Sequence, residues 1–340
     1  MSRTHFISNV RRWLDRLTPV AGTVLLCATL TQLAAKDKAR MDAYQGCCGA
    51  SAAVALDATH FAVGSDEDNR LRIYRRDRPG APESVTDLND FLAVGGKPAE
   101  ADIEGAAKIG NRVYWIGSHG RNPDGKLRPE RHSFFATEIA TNGGRLTFQT
   151  TGRPYHDLMV DLAADSRYRQ FRLRQAERLA PKEKGGLNIE GLTATPDGRL
   201  LIGFRNPLPG DKAMLAPLLN PVEVANGATA RFGDPLLVDL EGNGIRDLAQ
   251  AGGTYYIIGG SYHGGGQPVL YQWDGKSAKA GKIEGAVFRH FNAEALVIYP
   301  DTGAEKIQLL SDDGTSSNRG SRCQESRPDQ RSFRSLWFKP

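Results

Sequence analysis

The sequence predicts an all-β chain folded as a β-propeller of five blades, or six, with a helical insertion around residues 157–184. Three observations carry this reading. Short apolar runs alternate with turn residues along most of the 340-residue chain. Five stretches repeat one pattern, and the fold of a repeat is decided by its period. The one long interval in the series holds residues with helical rather than alternating periodicity.

The amino end stands apart from the repeats. Arg3, Arg11, Arg12 and Arg16 precede the apolar run Pro19 to Ala35, a basic region followed by an apolar one. Residues 1–35 therefore read as an export signal, which makes the chain periplasmic or secreted. Leu33 spoils the small-residue cleavage box, so an uncleaved N-terminal anchor is the alternative, although the run is short and polar for a span. Contact with a membrane is expected only in that case. The formal charge of +5 shrinks once this segment is set aside, because it holds four Arg and one Asp, leaving 40 basic and 38 acidic side chains. So even a balance, with no basic stripe, argues against a nucleic-acid partner.

The remaining chain, 44–340, reads as one propeller domain. Its units begin "GASAAVALDATHFAVGS" at Gly49, "DIEGAAKIGNRVYWIGS" at Asp102, "NIEGLTATPDGRLLIGF" at Asn188, "GIRDLAQAGGTYYIIGGS" at Gly244 and "NAEALVIYPDTGAEKIQLLS" at Asn292. Each is a small-residue strand, a turn, an aromatic or aliphatic strand and a small or polar step. Third strands follow as "LRIYRR", "SFFATEI", "PLLVDL", "VLYQWDG" and "SLWFKP". The spacings between units are 53, 86, 56 and 48 residues, which suits blades that cannot bury their faces alone. The long interval contains "DLMVDLAADSRYRQFRLRQAERL", read as one or two helices, or as the place of a degenerate sixth blade.

The last unit ends on its third strand at Pro340. Residues before Gly49 are expected to supply its outermost strand and so close the ring. Closure brings Cys47 and Cys48 near Cys323, and a Cys48–Cys323 disulfide is the simplest pairing in an exported chain. Buried free thiols are the alternative. No CxxC spacing occurs, which argues against a structural zinc site.

In register at the start of the first strands stand Ser51, Glu104, Glu190, Arg246 and Glu294. Antiparallel pairing sets these beside the ends of the second strands, where Asp66, His119, Arg205, His263 and Asp312 lie. Both rows must then share one end of the central channel, at which long loops also gather. Three converging glutamates repel one another unless a cation, protons or arginines intervene. Two readings stay open. In one, Glu104, Glu190, Glu294, Asp66 and Asp312 hold a metal, with calcium the cation expected of hard carboxylate oxygens. In the other, Arg205 and Arg246 pair with the glutamates and no metal enters.

Other motifs are weaker. "SDEDN" (Ser65 to Asn69) lacks the glycine and spacing of a calcium loop, and "DLEGNGIRDL" (Asp239 to Leu248) is explained as a turn between blades. No HExxH spacing occurs, "IGSHG" is not a nucleophile elbow, and "SYHGGGQ" is not a phosphate-binding P-loop.

Taken in order, "GASAAVAL", "FAVGSDEDNRLRIY", "DIEGAA", "VYWIGSHGRN", "NIEGLTATPDGRLLIGFRNP" and "GIRDLA" resemble the DUF3616 family, over roughly Cys48 to Pro340. The resemblance implies an exported bacterial β-propeller and carries no activity with it. An acidic residue is common in that family where this chain has Gly49, so a ligand role there is lost. "EGLTATPDG" is similar, more distantly, to blades of esterase-like phytases and gluconolactonase-type propellers, whose axial acids bind calcium beside substrate.

The function expected is a cation-assisted hydrolase of a phosphate ester, lactone or similar small molecule. Arg205 or Arg246 would hold an anionic group and His119 or His263 would move protons. The alternative is a non-catalytic binding propeller whose mouth takes a small ligand, a peptide or an envelope partner.

Overall fold

A computed structural model describes residues 41–93, 100–286, 288, 290–318 and 321–340; the segment 1–35, read above as an export signal or anchor, lies outside them. Among the described residues no helix is long and apolar enough to cross a membrane.

Five four-stranded antiparallel sheets build a five-bladed propeller. The first blade runs β2 (Ala52–Ala55), β3 (His60–Ser65), β4 (Asp68–Arg75) and β5 (Ser84–Asp87). The second runs β6 (Ile103–Ile109), β7 (Arg112–Gly117), β8 (Phe134–Asn142) and β9 (Arg145–Tyr155). The third comprises β10 (Asn188–Ala194), β11 (Leu200–Asn206), β12 (Ala213–Leu218) and β13 (Leu236–Val238), and the fourth β14 (Gly244–Ala251), β15 (Thr254–Gly260), β16 (Val269–Trp273) and β17 (Gly281–Lys282). The fifth combines β18 (Ala293–Tyr299) and β19 (Gly303–Ser311) with the last strand of the chain, β22 (Ser332–Phe338), and with β1 (Met41–Gln45). Two short strands, β20 (Ser317–Asn318) and β21 (Ser321–Arg322), pair in the loop before β22.

The expected third strand "PLLVDL" is instead the outermost strand of its blade, and the third is β12, Ala213–Leu218. Both segments are apolar, but Pro217 in β12 is the residue type that usually disqualifies a strand. Here it faces Leu201 across the ladder, and its carbonyl accepts from the Gly233 N–H at 2.8 Å.

The innermost strands β2, β6, β10, β14 and β18 touch one another in cyclic order, so the ring closes. Small residues allow this approach. A Cβ on Gly191 would lie 2.5 Å from Leu248 Cδ2 of the next blade, and one on Gly105 would lie 2.9 Å from Leu192 Cβ. The glycine of the repeated "EG" is thus a packing requirement. Farther out, aliphatic and aromatic side chains of facing sheets interleave: Leu71, Ile73, Val113 and Trp115 lie in one such layer, Leu215, Ile245, Ile257 and Tyr271 in another.

Closure joins the two ends of the chain. β1 pairs antiparallel with β22, from Met41 opposite Leu336 to Gln45 opposite Ser332. Tyr44, fully buried, stacks on Phe333 and meets Phe61 and Tyr74 edge-on. A Cys48–Cys323 disulfide ties the same region, and Cys47 is a buried free thiol.

The long interval is helical and holds no sixth blade. Helices α1 (Leu158–Ala164) and α2 (Leu173–Ala176) flank a 3₁₀ turn at Ser166–Phe171. Leu158 and Leu162 lie one turn apart and, with Met159, Tyr168 and Leu173, bury against the outer strands of blades two and three. A third short helix, α3 (Pro221–Ala225), follows β12.

Candidate functional site

One backbone device recurs at the axis. On β6 the residues Ile103 and Gly105 pair with Gly117 and Ile116, leaving Glu104 as an extra, unpaired residue. The same one-residue bulge falls on Glu190 in β10, on Arg246 in β14 and on Glu294 in β18. A bulge bends its strand and re-aims the extra side chain. Four of the five innermost strands thus turn the residue aligned in the sequence toward one end of the channel, where all four line a cavity of about 680 Å³. In the first blade Ser51 stands just before β2, and its hydroxyl donates to Asp66 Oδ1 at 3.1 Å.

Asp66, Arg205 and Asp312, from the ends of second strands, share the same wall. So do Asp102, Asn188 and Asn292, two residues before the bulged positions. This inner polar row escaped the sequence reading, although the aligned Asp/Asn column carried its signal. Arg131, Lys182 and Arg331 also reach the cavity, from loops whose register no repeat predicts.

The arginines satisfy half of the mouth. Arg205 donates to Glu190 Oε1 at 2.7 Å and twice to the Ser261 carbonyl, at 3.0 and 2.8 Å. Asn188 adds a second donor to Glu190 Oε1 at 2.7 Å. Arg246 pairs with Glu294 and donates to Asn292 Oδ1 at 2.8 Å. Its stem fills the place where a side chain on Gly260 would be, 2.7 Å from Arg246 Cδ. Burial opposes its charge, but Glu294 and Glu190 hold its pKa above the usual value. The Arg–Glu network expected as one reading is present, and it leaves carboxylates over.

Asp66, Asp102 and Glu104 are those carboxylates: one oxygen from each falls within 4.8 Å of the others. Arg131 reaches Asp102 Oδ2 at 2.9 Å and shares itself with Glu100. Asp102 sits in the left-handed region at φ 54°, a conformation Asp tolerates better than most residues and one that concentrates at working sites. Withdrawal from water raises all three groups: Asp102 to about 6 against the opposing charge of Arg131, Asp66 well above the carboxylate range with Glu294 and Asp102 adding, and Glu104 likewise with Glu190 and Asp102 adding. Asp312 is pushed up to about 7 by burial and by Glu294, while the Gly314 N–H opposes the shift from 2.8 Å. Gly49 lies between Asp312 and Asp66; a Cβ there would be 3.2 and 3.4 Å from their oxygens.

The two histidines lie elsewhere. His119, at φ 54°, turns its Nδ1 back to the Gly117 carbonyl at 2.9 Å and sets its ring 5.5 Å from that of His132. Burial, aided by His132, lowers it to about 3, so the ring is neutral. His263 is exposed beside Tyr262. Neither lines the cavity, and no imidazole does among the described residues. Apart from those two, every metal-ligand and catalytic residue expected from the sequence meets at this mouth.

The chain belongs to the family described as protein of unknown function (DUF3616), whose model matches residues 50–133 and 143–319. No curated protein matches it. Among solved structures, an engineered GH43 glycoside hydrolase with endo-xylanase and exo-arabinofuranosidase activity is 11% identical, over 89% of this chain, with a TM-score of 0.43. This chain spans about half of that one, 52%. A gluconolactonase from Xanthomonas campestris is 13% identical over 89% of this chain and 80% of its own, with a TM-score of 0.39. A GH43 β-1,3-galactosidase with galactodeoxynojirimycin is 10% identical over 86% and 90%, at 0.47. At these scores none of the three bears on the site.

Proposed function

We propose that the polar mouth is a cation-dependent ligand site and that the protein is an exported hydrolase of a small phosphate ester, lactone or similar molecule. The observation that carries this reading is the carboxylate cluster of Asp66, Asp102 and Glu104, in which Arg131 pairs with Asp102 while Asp66 and Glu104 have no arginine partner among the described residues. Three hard oxygens, with no thiolate or imidazole beside them on the wall, fit calcium or magnesium rather than zinc. Bound there, a divalent cation would polarise a carbonyl or phosphoryl oxygen. Lys182, on the rim without an ion-pair partner among the described residues, would draw in an anionic group. With His119 and His263 off the wall, proton transfer falls to the carboxylates. The disulfide supports export, since such bonds persist in oxidising compartments.

Calorimetric titration of calcium into wild type and Glu104→Gln, followed by screens of phosphate esters and lactones with calcium or chelator, tests the reading. Stoichiometric binding lost in the variant, with turnover that requires the cation, is the expected result. Binding without turnover on any substrate class would favour the second reading, a non-catalytic propeller that takes a small ligand or envelope partner. The absence of imidazole from the described wall speaks for that alternative.

A further inference from the structure

Four buried atoms of residues lining the mouth lack hydrogen-bond partners among the described residues, Glu67 Oε1, Arg131 Nε, Glu190 Oε2 and Arg246 Nε, and the last two lie close together. Glu190, 3% exposed, spends Oε1 on Arg205 and Asn188, whereas Oε2 has no donor. Arg246, 8% exposed, spends its Nη atoms on Asn292 and Glu294, whereas Nε has no acceptor. Oε2 and Nε are 3.9 Å apart, too far to bond directly. Both residues line the cavity that also holds the Asp66–Asp102–Glu104 cluster.

We infer that this pair is the docking point of a ligand hydroxyl, and that the natural ligand is a hydroxylated compound such as a polyol or sugar acid. One atom must fit between an acceptor and a donor. A hydroxyl oxygen donates its proton to Glu190 Oε2 and accepts the Arg246 Nε–H at once, and 3.9 Å allows normal distances to both. A ligand carboxylate or carbonyl accepts from Arg246 but leaves Glu190 without a donor, and the carboxylate is repelled as well. An ammonium donates to Glu190 and meets a second donor at Arg246. Leaving either buried group unpaired is costly, so the pair rejects ligands without a hydroxyl there far more strongly than an apolar wall rejects an added one. The bulges fix the geometry, since both residues are extra residues of their strands. This inference rests on the mouth being a ligand site and does not need the bond-breaking step.

The test uses the purified full-length protein and two six-carbon carboxylates that differ in hydroxyls, D-gluconate and hexanoate, titrated with and without calcium chloride. Wild type is expected to prefer gluconate by about 100-fold or more. Glu190→Gln keeps an oxygen for Arg205 and turns the second position into a donor. Arg246→Lys keeps a charge for Glu294 and removes Nε. Each is expected to reduce the preference for gluconate over hexanoate about tenfold or more. Equal binding of both compounds by wild type overturns the inference, as does failure to bind either, or a gluconate preference that survives both variants. If calcium binds while the preference is absent, only the hydroxyl site is lost. If the preference is present and falls in both variants while no calcium binds, the hydroxyl site stands and the cation reading is lost.

Discussion

Asp247 links two blades at the axis. Its Oδ2 accepts the backbone N–H of Leu296, on the innermost strand of the next blade, at 2.7 Å, while Oδ1 accepts the N–H of Leu248 at 2.8 Å. The residue is 2% exposed, and burial raises its pKa well above the usual range against those two donors. It immediately follows the bulged Arg246, so the blade-to-blade contact and the mouth share one turn of backbone.

Asp247→Asn replaces one of the two acceptors with a donor that confronts a backbone N–H. The expected cost is about 1–3 kcal/mol, that of leaving one buried group unsatisfied. Urea denaturation should show a lower midpoint with an unchanged slope. A variant as stable as wild type would mean that the contact adds nothing to blade packing.

The Cys48–Cys323 bond spans 275 residues of sequence beside the β1–β22 closure. Cross-linking so long a loop restricts the unfolded chain, and Cys323→Ser is expected to cost about 2–5 kcal/mol. Cys47 lies next to it in sequence but is 2% exposed, with burial pushing its thiol up to about 12. In the native protein Cys47 should therefore resist alkylation until denaturant is added. Rapid labelling in native buffer would show that closure opens without global unfolding.

Two buried groups set opposite pH dependences. His119, lowered to about 3, binds a proton when unfolded near its ordinary pKa and not when folded, so stability is lost as pH falls from about 6.5 toward 3. Asp312, raised to about 7, binds its proton in the folded state first, so its penalty is full above pH 7 and is relieved as pH falls toward 4. Asp312→Asn should therefore stabilise the protein at pH 8 and not at pH 4. His119→Phe should flatten the loss below pH 6. Melting curves from pH 4 to 8 on both variants separate the two effects, and identical pH profiles for wild type and variants would exclude both assignments.

Much of this site could be read from the sequence because propeller repeats place like positions alike. Glu104, Glu190, Arg246 and Glu294 align in the chain and meet in space, since each occupies the same bulge of the same strand. What register does not control was missed. His119 stands in the column of Asp66 and Arg205, yet its left-handed backbone folds the ring onto His132 and away from the cavity. Arg131 arrives from the loop between β7 and β8, and its pairing with Asp102 is a matter of loop conformation. The Asp102, Asn188 and Asn292 column is visible in the sequence, but Asp and Asn are common before strands for backbone reasons, so the column alone does not point to a site.

The acidic cluster sets stability against binding. Burial, with repulsion from Glu294 and Asp102 at Asp66 and from Glu190 and Asp102 at Glu104, makes Asp66 and Glu104 titrate well above the ordinary range. Glu104→Gln keeps the shape and removes a group whose ionisation burial opposes, so at pH 8 in chelator it should melt above wild type. On the proposed reading calcium is expected to act in the other direction, stabilising wild type by mass action, by about 2.7 kcal/mol at a hundredfold excess over its dissociation constant. The variant should gain little. The two proteins' melting temperatures are thus expected to cross as calcium is raised, with wild type lower in chelator and higher in the presence of the ion. A variant destabilised in chelator, or an equal calcium shift in both proteins, would show that the cluster is a hydrogen-bonded structural element and that the cation, if bound, sits elsewhere.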